Sequence, residues 1–144
     1  MKQFSNLFIL ILFCFPLLAE DINKTFFGNL AVNGYDVVSY FKDGKPVLGN
    51  AKFQWEWKSV KWRFSSEENL NLFKKTPEKY APQYGGYCAF AMSAGDKYDI
   101  SPDAWNITNG KLYLNYDSEI HEKWEKKKLE LIKQADTFWQ KYEK

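Results

Sequence analysis

Three side chains beyond residue 20 have the chemistry to bind a soft metal or to take part in catalysis. Cys88 and Met92 lie four positions apart, and His121 is the only imidazole in the 144-residue chain. Thiolate and thioether sulfur favour Cu(I), so these three residues form one candidate metal site. A blue-copper centre needs two histidines and a structural zinc site needs four strong ligands, so neither is predicted. The alternative for His121 is an exposed position between Glu119 and Glu122.

The sequence lacks the patterns of common catalytic sites. It contains no Gly-x-Ser-x-Gly elbow, no Cys-x-x-Cys pair and no glycine-rich phosphate loop. A nucleophilic Cys88 would have to use His121 as its base. The net charge is only +2 and Arg63 is the only arginine, which argues against binding to nucleic acid. We therefore predict a protein that is not an enzyme, with a thiol-dependent enzyme as the weakest alternative.

The first 19 residues have the pattern of a secretory signal peptide. Lys2 precedes an apolar run over residues 7–19, and Ala19 precedes Glu20. The run is shorter than the roughly 20 residues that span a bilayer. We predict cleavage near Ala19 and export to the periplasm or the cell surface. Lipidation at Cys14 is the weaker alternative, because Cys14 lies inside the apolar run.

The predicted mature chain, residues 20–144, is a single domain. Its composition is rich in aromatic residues, with 12 Phe, 9 Tyr and 6 Trp in the whole sequence, and such side chains can build a dense core in a short chain. Cys88 is its only cysteine, so it has no internal disulfide. No transmembrane segment is predicted in it.

Turn signals between aromatic runs predict antiparallel hairpins. Asn109-Gly110 separates residues 105–108 from 111–115, and a second hairpin is predicted between residues 53–57 and 61–64. Residues 34–41, GYDVVSYF, are predicted to form another strand, followed by a turn at Asp43-Gly44.

Helix signals follow the second hairpin and close the chain. Ser65 as N-cap and Glu68 three residues later form a capping box. Pro77 begins a further helical turn. From Ser118 onward the apolar spacing is helical, with a bend expected at residues 126–128. The predicted fold class is therefore α+β, a small domain of antiparallel β-hairpins packed with short helices and a C-terminal helix.

Three stretches of the sequence resemble exported YHS-domain proteins. They are GYDVVSYF at 34–41, WRFSSEENLNLFKKTPEKYAPQYGGYCAFA at 62–91, and AWNITNGKLYLN at 104–115. The resemblance extends from Gly34 to about Lys111 and loosely to the C-terminus, and these proteins are related to the metal-binding TRASH domains. The resemblance implies that three family cysteines correspond to Ser39, Ser65 and Asn69. Because hydroxyl and amide groups do not replace soft thiolates, we expect the family metal site to be lost.

The resemblance implies that the segment Gly85-Gly86-Tyr87-Cys88 is a hallmark of the larger exported members, and it is our candidate ligand site together with Asp36. Two glycines would let a ligand approach the backbone beside an aromatic ring and a thiol. The alternative is a tight turn with Cys88 packed as a small apolar residue. Asp36 lies among apolar residues and needs a hydrogen-bonding partner, for which we predict the amides of the Gly-Gly turn.

These observations favour an exported, non-enzymatic YHS-domain protein that binds a small ligand or a protein partner. The alternative is a metal-handling protein that uses Cys88 to bind copper or zinc. No cofactor is predicted otherwise.

The export hypothesis predicts the mass of the native protein. Mass spectrometry of protein from its own host should show a chain that begins near Glu20, because a signal peptidase cleaves after a small residue such as Ala19. A product that retains Met1 and stays in the cytoplasm would contradict export.

Overall fold

The computed structural model describes residues 21–143, so the predicted signal peptide lies outside the described residues. The elements in chain order are α1 (Val37–Lys42), β1 (Asn50–Trp57), β2 (Val60–Phe64), α2 (Glu67–Lys75), α3 (Pro77–Tyr80), α4 (Ala89–Met92), β3 (Ser101–Thr108), β4 (Lys111–Asn115), α5 (Ser118–Glu125) and α6 (Lys128–Trp139). Short 3₁₀ turns occur at Val32–Gly34 and Tyr84–Gly86. The predicted α+β class is confirmed.

Both hairpins form where the turn signals predicted them. Strands β1 and β2 pair antiparallel up to Trp57 opposite Val60, and β3 and β4 pair up to Thr108 opposite Lys111. The two-residue turn Asn109-Gly110 has φ values of 52° and 73°. Two consecutive left-handed residues match the twist of the flanking strands, and Asn-Gly adopts this conformation readily.

The predicted strand at residues 34–41 is wrong, since residues 37–42 form helix α1. Tyr35 does pair with Leu48 in an isolated bridge, but the chain then turns into a helix at Asp36. The Asp36 carboxylate accepts a hydrogen bond from the amide of Val38 at 2.9 Å and caps the helix. Val37, Val38 and Tyr40 are buried. Capping and burial therefore override the strand preference of the paired valines.

The predicted capping box of Ser65 and Glu68 is wrong, because the helix begins one residue later and its N3 residue is Asn69. The N-cap of α2 is Ser66, whose hydroxyl accepts from the amide of Asn69 at 3.1 Å. The hydroxyl of Ser65 instead donates to the Asp36 carboxylate at 2.7 Å. The predicted first position of α3 at Pro77 is confirmed.

Two aromatic clusters form the core. The first surrounds Phe73 of α2, whose ring lies 5.0 Å from that of Trp62 and 5.0 Å from that of Phe64. The second surrounds Trp124 of α5, which packs on Tyr113 with ring centroids 5.4 Å apart. The buried apolar residues of the two clusters run from Ile22 to Trp139.

The C-terminal helical region is divided into two helices at the lysine run, where we expected a bend. Helix α5 ends at Glu125 and α6 begins at Lys128. Within residues 21–143, no helix combines the length and the apolar character needed to cross a membrane.

Candidate functional site

A fully buried carboxylate, that of Asp36, joins three parts of the domain. Its Oδ2 accepts hydrogen bonds from the amide of Ser65 at 2.8 Å, from the hydroxyl of Ser65 at 2.7 Å and from the side-chain amide of Asn69 at 2.7 Å. Its Oδ1 accepts from the amide of Val38. Four hydrogen bonds, donated from α1, from the end of β2 and from α2, therefore satisfy the carboxylate, and none of them comes from the Gly-Gly turn. The predicted partner of Asp36 was wrong.

The three positions that the resemblance equates with metal ligands lie around this carboxylate. Ser39 donates its hydroxyl hydrogen toward two carbonyl oxygens, that of Asp36 at 2.6 Å and that of Lys45 at 3.0 Å. Ser65 and Asn69 donate to the Asp36 side chain. All three polar groups thus act as hydrogen-bond donors within the fold. They supply no thiolate, and this donor set does not fit a zinc or copper ion.

The Gly85-Gly86 turn receives a segment of the chain itself. The amide of Asn23 donates to the carbonyl of Gly85 at 2.8 Å, and its side chain donates to the carbonyl of Gly86 at 3.2 Å. Gly85 has φ = +60°, and an added Cβ would collide with the carbonyl oxygen of Asp21 and lie 3.0 Å from the Trp139 ring. The close backbone approach that the glycines permit is therefore made by residues 21–23.

Tyr87 is fixed by the same N-terminal segment. Its hydroxyl donates to Asp21 Oδ1 at 2.8 Å, and Lys97 forms an ion pair with Asp21 Oδ2. Partial burial opposes ionisation of Asp21, but the hydrogen bonds from Lys97 and Tyr87 outweigh it and lower the pKa of the carboxyl. Tyr87 thus positions the chain beside the Gly-Gly turn.

Cys88 is buried and linked to His121 through an amide. Its Sγ lies 3.7 Å from Asn115 Oδ1, which also accepts from the amide of Phe90 at 3.1 Å. The Asn115 side-chain nitrogen lies 3.5 Å from His121 Nδ1. Since the amide nitrogen can only donate, His121 Nδ1 is the acceptor of this contact, and His121 Nε2 lies 3.8 Å from Glu125. An amide therefore separates the thiol from the imidazole.

This environment keeps the thiol neutral. Burial raises the pKa of Cys88 above its usual value, so it stays protonated near pH 7. Met92 is fully buried and belongs to the aromatic cluster around Trp124. Among residues 21–143, no group of three or more His, Cys, Asp and Glu side chains is placed to hold a metal ion.

An apolar pocket of about 520 Å³ opens beside Cys88. Cys88 and Ala91 are its buried wall, and Phe90 and Ile120 add half-buried apolar surface. Tyr98 and Tyr116 also line it and are 58% and 54% exposed, so they lie at its opening. The remaining lining residues are Ser93, Ala94, Asp96 and Gln134. Its volume lies within the roughly 300–1,000 Å³ of small-molecule sites.

The structure separates the residues that the sequence grouped as one ligand site. Cys88 lines the large pocket, whereas Asp36, Gly86 and Tyr87 do not. Gly85 lines a second pocket of about 200 Å³ near Trp57 and Trp139. Sequence reasoning missed Asn115, although its position directly after the apolar run Leu112–Leu114 and two residues before a helix cap marks it as a polar residue in need of a partner.

Comparison with known families supports the resemblance to YHS-domain proteins. The model of the YHS domain matches residues 38–84. The chain contains a YHS domain. YHS is a type of domain linked to metal binding, and the match covers Ser39, Ser65 and Asn69. No curated protein and no solved structure matches the chain.

The YHS match ends before the pocket begins. Tyr84 is its last residue, and all the residues that line the 520 Å³ pocket follow it, from Cys88 to Gln134. The positions that the resemblance equates with metal ligands and the pocket are therefore different regions of this molecule.

A pair of glycine variants tests whether the Gly-Gly turn is a structural contact. Gly44 and Gly85 have similar backbones, with φ of +65° and +60°, but an added Cβ at Gly44 meets nothing within 4 Å. Both alanine variants carry the left-handed strain of about 1–2 kcal/mol. Gly85→Ala should lose about 1–3 kcal/mol more than Gly44→Ala, since the Asp21 segment must move. Urea unfolding measures both, and equal losses would show that the N-terminal segment does not depend on this contact.

Proposed function

We propose that this protein is an exported, non-enzymatic binding module that takes up a small, mainly apolar molecule in the pocket beside Cys88. The observation that carries the proposal is the pocket itself, about 520 Å³ in volume with apolar side chains on its buried wall. Sites of this size bury most of a small ligand and gain their binding free energy from apolar contact.

The polar groups at the opening define the ligand further. Tyr98 and Tyr116 offer two phenol groups, and Gln134 offers an amide, for hydrogen bonds to the outer end of a ligand. Asp96 is exposed at the same opening and disfavours a negative charge there. The expected ligand is therefore neutral or cationic, with an apolar body and one hydrogen-bonding group.

The chemistry beside the pocket supports binding over catalysis. A nucleophilic cysteine needs a lowered pKa or an adjacent base, and the raised pKa of Cys88 leaves a neutral thiol. The Asn115 amide occupies the position next to the thiol that a base would need. Cys88 therefore serves as part of the apolar wall.

A pocket-filling variant tests this function with the neutral dye N-phenyl-1-naphthylamine. Residues 20–144 should bind the dye at a single site, seen as enhanced fluorescence. Ala94 is exposed and lines the pocket, so Ala94→Trp fills the space without changing a core residue. We expect it to weaken binding by about tenfold or more, equivalent to about 1.4 kcal/mol.

The matched control and the thiol give two independent readouts. Ala51→Trp places the same ring on an exposed position of β1 and should leave dye binding unchanged. Saturating dye should slow the alkylation of Cys88 by N-ethylmaleimide, because the thiol lines the occupied pocket. Equal binding by both tryptophan variants, or alkylation that dye does not slow, would place the dye elsewhere and contradict the proposal.

A further inference from the structure

The N-terminal segment presents two phenylalanine rings to solvent at the tip of a turn. Phe26 is 94% exposed and Phe27 is 84% exposed. The rings contact each other edge to face, with centroids 4.9 Å apart. Large apolar side chains are rarely left this exposed in pairs, and such pairs often mark an interaction surface.

Hydrogen bonds fix the turn that carries these rings. The Thr25 amide donates to the carbonyl of Leu30 at 2.9 Å. The Thr25 hydroxyl donates to the carbonyl of Phe27 at 2.6 Å and accepts from the amide of Leu30 at 3.0 Å. Gly28 and Asn29 complete the reversal with φ of +85° and +55°. The rings are therefore held outward by a closed turn.

The turn is also joined to the β1–β2 hairpin. The amide of Lys61 donates to the carbonyl of Asn29 at 2.9 Å, and the Asn29 side chain donates to the carbonyl of Ser59 at 2.9 Å. The two joined segments, residues 24–31 and 57–62, contain three lysines and no acidic residue, and Glu56, which lies opposite Lys61 in the hairpin, is the acidic residue next to them. These lysines are Lys24, Lys58 and Lys61. Positive charge thus accompanies the exposed rings.

We propose that the Phe26–Phe27 turn docks the protein on an anionic lipid surface. Aromatic rings enter the boundary between headgroups and acyl chains, and neighbouring lysines attract anionic headgroups. A protein partner fits less well. Two Phe side chains bury about 300–500 Å² together, whereas a stable protein interface buries about 800 Å² on each partner. A fluid bilayer surface needs no matching groove.

Vesicle co-sedimentation of residues 20–144 tests the proposal. The chain should bind vesicles of phosphatidylcholine with one third phosphatidylglycerol more tightly than vesicles of phosphatidylcholine alone. The double variant Phe26→Ser/Phe27→Ser should weaken binding to the anionic vesicles by about tenfold or more. Lys24→Gln should weaken it by roughly fivefold and reduce the preference for anionic lipid.

Leu129→Ser is the matched control, because Leu129 is 68% exposed on α6, away from the turn in sequence, and should leave vesicle binding unchanged. Thermal unfolding confirms that each variant is folded. Absence of vesicle binding by the unmodified chain, or equal binding by the double serine variant, would overturn the proposal. A concentration-dependent dimer that the double variant abolishes, without vesicle binding, would identify a second copy as the occupant and overturn it equally.

Discussion

The buried carboxylate of Asp36 is the interaction on which the YHS part of the fold depends. It caps α1 through Val38 and holds the β2–α2 junction through Ser65 and the first turns of α2 through Asn69. Hydrogen bonds to a charged acceptor are stronger than neutral ones, and leaving such donors buried without the acceptor is costly. The carboxylate thus joins three elements at the place where the resemblance locates a metal ion.

The buried carboxylate also explains the chemistry of the surrounding residues. A metal site needs groups that donate electron pairs, whereas Ser39, Ser65 and Asn69 all direct hydrogens toward oxygen acceptors. The cluster is internally satisfied except for Asn69 Oδ1, which has no partner among the described residues. The molecule therefore separates its structural centre, Asp36 and the donors that it holds within the YHS match, from the apolar pocket that follows the match.

Local signals predicted much of the fold. The Asn109-Gly110 turn specifies its hairpin with two residues, and Pro77 starts α3 where expected. The errors arose where distant residues decide. Ser65 and Ser66 can both serve as an N-cap as far as the sequence shows. Asp36, 29 positions before Ser65, binds the Ser65 hydroxyl, so the Ser66 hydroxyl caps α2. Likewise residues 37–42 become helical because of capping and burial, which the valine pair does not reveal.

Only part of the candidate site could be predicted, again because distant residues complete it. Cys88 was singled out from its own neighbourhood, but the pocket beside it is assembled from α4, the segment after it, α5 and α6. The Asn115 amide that separates Cys88 from His121 comes from β4, 27 positions from the thiol. Such assemblies depend on tertiary packing, and no single stretch of sequence contains them.

Urea unfolding of Asp36→Asn is the most direct test of the central role of this carboxylate. The amide removes the charge and directs its own hydrogens toward Val38, Ser65 or Asn69, which already donate. The free energy of unfolding should fall by about 3 kcal/mol or more. Asp117→Asn is the matched control: it changes an Asp N-cap that accepts from Ile120, and Asn caps equally well. A loss at Asp36→Asn as small as that of the control would contradict the account.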